Sequence, residues 1–209
     1  MRAQSYLGLP EGYELSREIN LQKDKKLAFW LNAAASVVML ALLLPILPKL
    51  SLLLWGSALL LPALALLLGT FAYLVLHEWV HGIFIRLFCG QKADYGFTGL
   101  YAFAGKKDAY FCKSHYLLIA LAPVVIWGIV LAAACALAQG PWFLVAYFLE
   151  AMNLSGAAGD LYVAYLCLRA PSGLLINDDG VSMRFYLKKP IIKEILKETQ
   201  FFAHCVFKV

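Results

Sequence analysis

Charge is scarce in this sequence. Asp, Glu, Lys and Arg make up 15% of its 209 residues against 62% hydrophobic ones, and the mean hydropathy is +0.73. That leaves too little polar surface to cover a water-soluble globule of this size, so lipid is the expected solvent. Paired cysteines are missing as well. Cys89, Cys112, Cys135, Cys167 and Cys205 contain no Cys-x-x-Cys spacing, and on the topology expected below most face a reducing compartment or the bilayer, which argues against a disulfide framework. Cys89 and Cys112 bracket one loop, but read more simply as small apolar residues at helix ends. No internal repeat and no compositional break marks a second domain. One membrane-embedded domain over residues 1–209 is expected.

What is present is long apolar runs. Leu27 to Leu47, Ser51 to Phe88 and Ser114 to Ala138 are each long enough to cross about 30 Å of hydrocarbon at 1.5 Å per residue. Pro141 to Leu168 is equally apolar apart from Glu150 and Asp160. The expected fold is therefore all-α and integral to the membrane. Its four transmembrane helices are placed at about residues 27–47, 57–88, 114–138 and 141–168, with a polar segment before them (1–26) and a tail after them (169–209). The second run is too long for one perpendicular crossing and contains Pro62, which predicts a kink, a tilt or an interfacial start. The polar residues ahead of the first helix do not form the short basic region of a cleaved signal peptide, so that helix is expected to stay in the mature chain.

The net charge of +5 has a topological explanation. Of the 18 Lys and Arg, five precede Ala28, Arg86 ends the second helix, four lie between Cys89 and Lys113, and seven follow Leu168. Only Lys49 lies elsewhere. With four crossings all the other basic residues fall on one side, which the positive-inside rule makes cytoplasmic, with both termini there. The basic excess thus calls for a bilayer with anionic lipid rather than nucleic acid as partner.

Ionisable residues inside a span cost about 2.5–3.5 kcal/mol each on insertion scales and are rare without a partner or a function. Here they cluster, as His77, Glu78 and His81 in the second run and as Glu150, Asn153 and Asp160 in the fourth. Residues four apart on a helix share a face, so His77 and His81 can both direct an imidazole nitrogen to one zinc ion. Glu78 leaves the helix about 100° around from His77, placed to act as general base on a water rather than to ligate. For the third ligand, depth ranks the candidates. Counting about 1.5 Å per residue, His81 and His77 lie about 10 Å and about 16 Å from Phe88, and Asp160 about 13 Å from Arg169. Glu150 lies further out, His115 sits at the mouth of the third helix, and His204 is in the tail. Asn153, Gly156, Ala157 and Asp160 form one stripe whose small residues admit a neighbouring helix. Asn153 would hold substrate backbone, orient a ligand or make a structural interhelical bond. Glu150 reads as a snorkelling residue or the lining of a water path.

At these residues the chain resembles the site-2-protease-like membrane metalloproteases, and more closely the zincin peptidase family of small bacterial membrane proteins. The resemblance rests on Leu9-Pro10-Glu11-Gly12-Tyr13, the His77 to His81 motif, Ala122-Pro123, and Asn153 through Asp160. It implies one zinc held by His77, His81 and Asp160, Glu78 as catalytic acid/base, and cleavage of peptide bonds in membrane protein or peptide substrates within or beside a bacterial cell membrane. Site-2 proteases carry Leu-Asp-Gly at the third ligand, whereas this chain reads Gly159-Asp160-Leu161. A catalytically silent protein of the same build, binding membrane partners or metal without hydrolysis, is the alternative; a metal transporter would need more polar layers than Glu150 provides.

Between the second and third helices, residues 90–113 read as a short β-hairpin-like cytoplasmic loop. Tyr95 to Phe103 precede a turn at Gly105-Lys106-Lys107-Asp108, and Tyr110-Phe111 follow it. Its edge is a candidate for pairing with an extended substrate, or it is an interfacial anchor. The tail is expected to lie on the inner membrane surface, with a turn at Asn177 to Gly180 and a short amphipathic helix around Ile191 to Phe202. Oligomeric state and substrate identity have no sequence signal.

Overall fold

A computed structural model describes residues 4–49, 60–99 and 101–189. In chain order the elements are β1 (Tyr6–Leu7), β2 (Tyr13–Asn20), α1 (Lys25–Leu43), α2 (Leu60–Cys89), β3 (Asp94–Phe97), β4 (Ala102–Gly105), β5 (Ala109–Cys112), α3 (Lys113–Leu137), α4 (Pro141–Gly156), α5 (Ala158–Arg169), β6 (Leu175–Asp178) and β7 (Ser182–Lys188); a 3-10 turn, Leu44–Ile46, extends α1.

Three helical segments are long and apolar enough to cross a membrane: Lys25–Lys49, Leu60–Cys89 and Lys113–Leu137. Their outward faces are bare hydrocarbon. Leu67, Phe71, Ile129 and Leu137 are 68%, 70%, 67% and 83% exposed, and α1 buries no residue at all. Pro62 is buried near the start of the described part of α2. Residues 50–59, where an interfacial start was expected, lie outside the described residues.

The fourth expected helix is two. α4 and α5 meet at Ala157, whose φ of −72° and ψ of 5° leave the helical range. Neither piece, 16 and 12 residues long, would cross a bilayer alone. The cause is local: Ser155 turns its hydroxyl back onto the Ala151 carbonyl at 2.7 Å, and Gly156 and Gly159 flank the joint with the poorest helix propensity short of proline. Gly156 faces open space, so the small residues here serve the break; the close packing falls to Ala157, 0% exposed.

The all-α expectation is overturned. β1, β5, β6, β7 and β2 form, in that order, a five-stranded antiparallel sheet, and β3 and β4 a separate two-stranded one. The tail residues expected on the membrane surface are central strands instead, while the amphipathic helix expected around residues 191–202 lies outside the described residues. The hairpin turn also moves. β3 pairs with β4 around residues 98–101, and the Gly105 to Asp108 turn leads into β5, which joins the larger sheet. The sheet packs on one end of the helices. Phe111, Ile176, Phe185 and Leu187 from the strands bury against Ile85 of α2, Tyr116 and Ile119 of α3 and Val163 and Cys167 of α5. β2 runs into α1, β5 into α3, and α5 into β6, so the N-terminal ends of α1 and α3 and the C-terminal end of α5 meet this sheet.

Candidate metal centre

α2 presents His77 and His81 one turn apart on the face it packs against α3, α4 and the strand β4. Their ring centroids lie 5.1 Å apart, and ligand atoms of His77, Glu78 and His81 all lie within 4.8 Å of one another. Asp160 comes to them from the first turn of α5, directly after the helix break. There the unpaired N–H groups and positive end of the helix favour a carboxylate. Its two oxygens lie 3.3 Å from His77 Nε2 and 3.6 Å from His81 Nε2.

The second nitrogen of each imidazole decides what those distances mean. His81 Nδ1 sits 2.8 Å from the Ile119 carbonyl, which can only accept, so Nδ1 carries a proton, and the neutral ring presents Nε2 as its lone pair. His77 Nδ1 lies 3.0 Å from the Tyr73 hydroxyl, which donates its own hydrogen to Asn153 Oδ1 at 3.1 Å and is thereby left to accept. His77 Nε2 is then a lone pair too. With both rings neutral, two imidazole lone pairs face an ionised carboxylate, a donor set suited to a cation at its centre. A tetrahedral zinc with ligands at 2.0–2.2 Å sets its ligand atoms about 3.3–3.5 Å apart, near the 3.3 and 3.6 Å between each imidazole Nε2 and one of the two Asp160 oxygens. The donor set fits one zinc ion, with outer partners on both imidazoles of the kind that orient zinc ligands.

Glu78 stands beside the two imidazoles and is also held from the hairpin. Its carboxylate accepts a hydrogen bond from the Ala104 N–H of β4. The hairpin is pressed close on this face, since a Cβ on Gly82, one turn beyond Glu78, would stand 1.8 Å from the Tyr95 hydroxyl. Asn153 is 0% exposed, and its amide also donates to the Val124 carbonyl at 3.1 Å and Glu150 at 3.2 Å. Glu150 lies on α4 toward the end away from the sheet. His115 is remote from the cluster, bonded to Ser5 and stacked on Phe88. His204 lies outside the described residues. Cys89, Cys112, Cys135 and Cys167 are free thiols. Sequence reasoning passed over Tyr73, although a hydroxyl four residues before His77 in an apolar helix is a recognisable signal.

No curated protein and no solved structure matches this chain. A family described as "Putative zincin peptidase" does match, over residues 70–175, which span α2 from Thr70 through all of α5. That stretch is just over half of the chain and carries His77, Glu78, His81 and Asp160. The chain belongs to this zincin peptidase family, and its general class is that of a zinc metallopeptidase.

Proposed function

We propose that this protein is a zinc-dependent endopeptidase of the site-2-protease kind, embedded in a bacterial cell membrane and acting on membrane protein or peptide substrates. His77, His81 and Asp160 hold the ion and Glu78 is the general base. The observation that carries this reading is the approach of His77 Nε2 and His81 Nε2 to the Asp160 carboxylate at 3.3 and 3.6 Å, beside Glu78, within helices whose outer faces are apolar. Bound there, zinc supplies Lewis-acid chemistry, lowering the pKa of a water and polarising the scissile carbonyl. The Glu78 carboxylate takes the proton of the attacking water and passes it to the leaving amide nitrogen as the C–N bond breaks. Ile119 and Tyr73 keep both imidazoles facing inward throughout.

The orientation follows from charge and from the sheet. The strands adjoin the helix ends where the basic residues gather, so the sheet and both termini are assigned to the cytoplasm. A peptide locked in helical hydrogen bonds cannot offer its carbonyl, so the substrate enters as a locally extended stretch. The β3–β4 hairpin beside Glu78 offers an edge for such a stretch.

The test is purification in detergent with metal analysis and a transmembrane-peptide cleavage assay. Wild type is expected to carry one zinc and to cleave, Glu78→Gln to keep zinc and lose cleavage, and Asp160→Ala to lose zinc. Cleavage by Glu78→Gln at the wild-type rate would sink the peptidase reading in favour of a silent binding protein. Normal zinc binding by Asp160→Ala would remove Asp160 from the ligand set.

A further inference from the structure

We propose that Tyr73, Asn153 and Glu150 form a positioning chain that holds His77 in its metal-binding tautomer, with Glu150 as the lock. The inference rests on the zinc-site reading but not on proteolysis.

The chain runs from His77 Nδ1 to the Tyr73 hydroxyl at 3.0 Å, from that hydroxyl to Asn153 Oδ1 at 3.1 Å, and from Asn153 Nδ2 to the Val124 carbonyl at 3.1 Å and Glu150 Oε2 at 3.2 Å. Each direction follows from the far end. Val124 and the Glu150 carboxylate are acceptors, so the NH₂ of Asn153 must face them and its oxygen must face Tyr73. Tyr73 must therefore donate to Asn153 and accept from His77. His77 is left protonated on Nδ1, with the Nε2 lone pair aimed at Asp160.

The alternative is physically reasonable, which is why a lock has a purpose. If the amide of Asn153 turned over, Tyr73 would accept from it and donate to His77 Nδ1. The imidazole proton would then sit on Nε2, facing the Asp160 oxygen 3.3 Å away. That arrangement makes a satisfactory imidazole–carboxylate hydrogen bond in which a proton takes the place of the metal. Turning Asn153 over would set its oxygen against both Val124 and Glu150, and Asn153 is 0% exposed, so water cannot compensate it. The Glu150 carboxylate, otherwise costly within an apolar helix, thereby favours the His77 tautomer whose Nε2 is free to take a metal.

The experiment measures zinc affinity by chelator competition on the detergent-purified full chain, with ¹⁵N-histidine NMR of the metal-free protein reporting the His77 tautomer. Tyr73→Phe and Asn153→Leu are each expected to weaken zinc binding about 10–100-fold, the range for losing a partner of a metal-bound histidine. Glu150→Leu should weaken it a few-fold, because Val124 still holds the amide, while Glu150→Gln keeps an acceptor for Asn153 and should lie closer to wild type. In the Tyr73→Phe spectrum the Nε2-protonated form of His77 should grow. A purely structural role would lower thermal stability while leaving affinity and tautomer untouched, and that result overturns the proposal. So does wild-type affinity in both Asn153→Leu and Glu150→Leu, whichever of the variants folds least well. Loss of cleavage with no change in zinc affinity would count against this chain while leaving the peptidase reading standing, whereas a zinc-affinity loss in a protein that never cleaves would do the reverse.

Discussion

The helices and the five-stranded sheet differ in how far each depends on distant parts of the chain. A helix satisfies its backbone within its own residues, and α2 brings His77, Glu78 and His81 to one region with no help from elsewhere. The sheet is assembled from strands up to 182 positions apart, β1 at one end of the sequence and β7 at the other. The helices supply the reacting groups; the sheet sets what lies beside them. Changes confined to one region should therefore have separable consequences.

The largest effect is expected inside the helices. His81→Ala removes a ligand and its anchor on Ile119, and should weaken zinc binding by well over the 10–100-fold that losing an outer partner costs. Metal analysis after dialysis should find the ion gone while the thermal transition of the metal-free protein stays near wild type. An equal fall in that transition would show that the site and the sheet are one cooperative unit, and the separation would break.

The same division explains what could be read in advance. Hydropathy placed helices at about residues 27–47, 57–88 and 114–138, and the structure has them at Lys25–Leu43, Leu60–Cys89 and Lys113–Leu137, because lipid exposure is written in each segment's own composition. The joint at Ala157 was missed because Ser155, Gly156 and Gly159 look alike whether they serve close packing or a break. β2 was missed for a better reason. Most of its residues are exposed, only Ile19 is buried, and a bulge between Leu15 and Arg17 interrupts what alternation there is. In β7 the signal was present. Phe185 and Leu187 point inward while Arg184, Tyr186 and Lys188 alternate with them, and a turn over Asp179 to Val181 precedes it. Read as a tail after the last helix, that hairpin had no partner, since β2 lies at the other end of the chain.

The next effect tests the link between the regions. Gly180, in the β6–β7 turn, has φ +85°, and a Cβ there would stand 2.0 Å from the Phe103 ring, which also covers Gly96. Phe103 adjoins Ala104, whose N–H holds Glu78. Gly180→Val should displace β4 and lower cleavage by up to about 10²-fold, the scale of a 1 Å misplacement, with zinc content unchanged. Unaltered cleavage would mean that the sheet has no bearing on Glu78.

A smaller change stays within the strands. Asn177 is 2% exposed, and its amide donates to the Lys107 and Ala109 carbonyls at 2.7 and 2.9 Å, tying the turn before β5 to β6. Asn177→Leu leaves buried carbonyls without a donor and should cost about 1–3 kcal/mol, read as a lower thermal transition in detergent with zinc affinity preserved. A fall in affinity would extend the sheet's influence to the ligands themselves.

The smallest effect separates two neighbours in the same turn. Burial pushes the Asp178 carboxyl above its ordinary range, although Tyr116 and the Gly180 N–H donate to it. Burial acts on Asp179 in the same sense, but the N–H groups of Ser182 and Val181 and the Arg184 guanidinium outweigh it and hold that carboxyl below its ordinary range. The signs of linkage are then opposite. The contribution of Asp179 is present above its unfolded pKa of about 3.9 and lost as pH falls through its depressed value; that of Asp178 is present below about 3.9 and lost as pH rises through its raised one. Asp179→Asn should therefore destabilise at neutral pH, by little because solvent screens a partly exposed pair, and converge on wild type in acid. Asp178→Asn should be neutral or stabilising at neutral pH and fall behind wild type in acid. Thermal scans across that range decide it: if both variants keep a constant offset from wild type, neither carboxylate is coupled to folding through its charge, and the turn is held by shape and backbone hydrogen bonds alone.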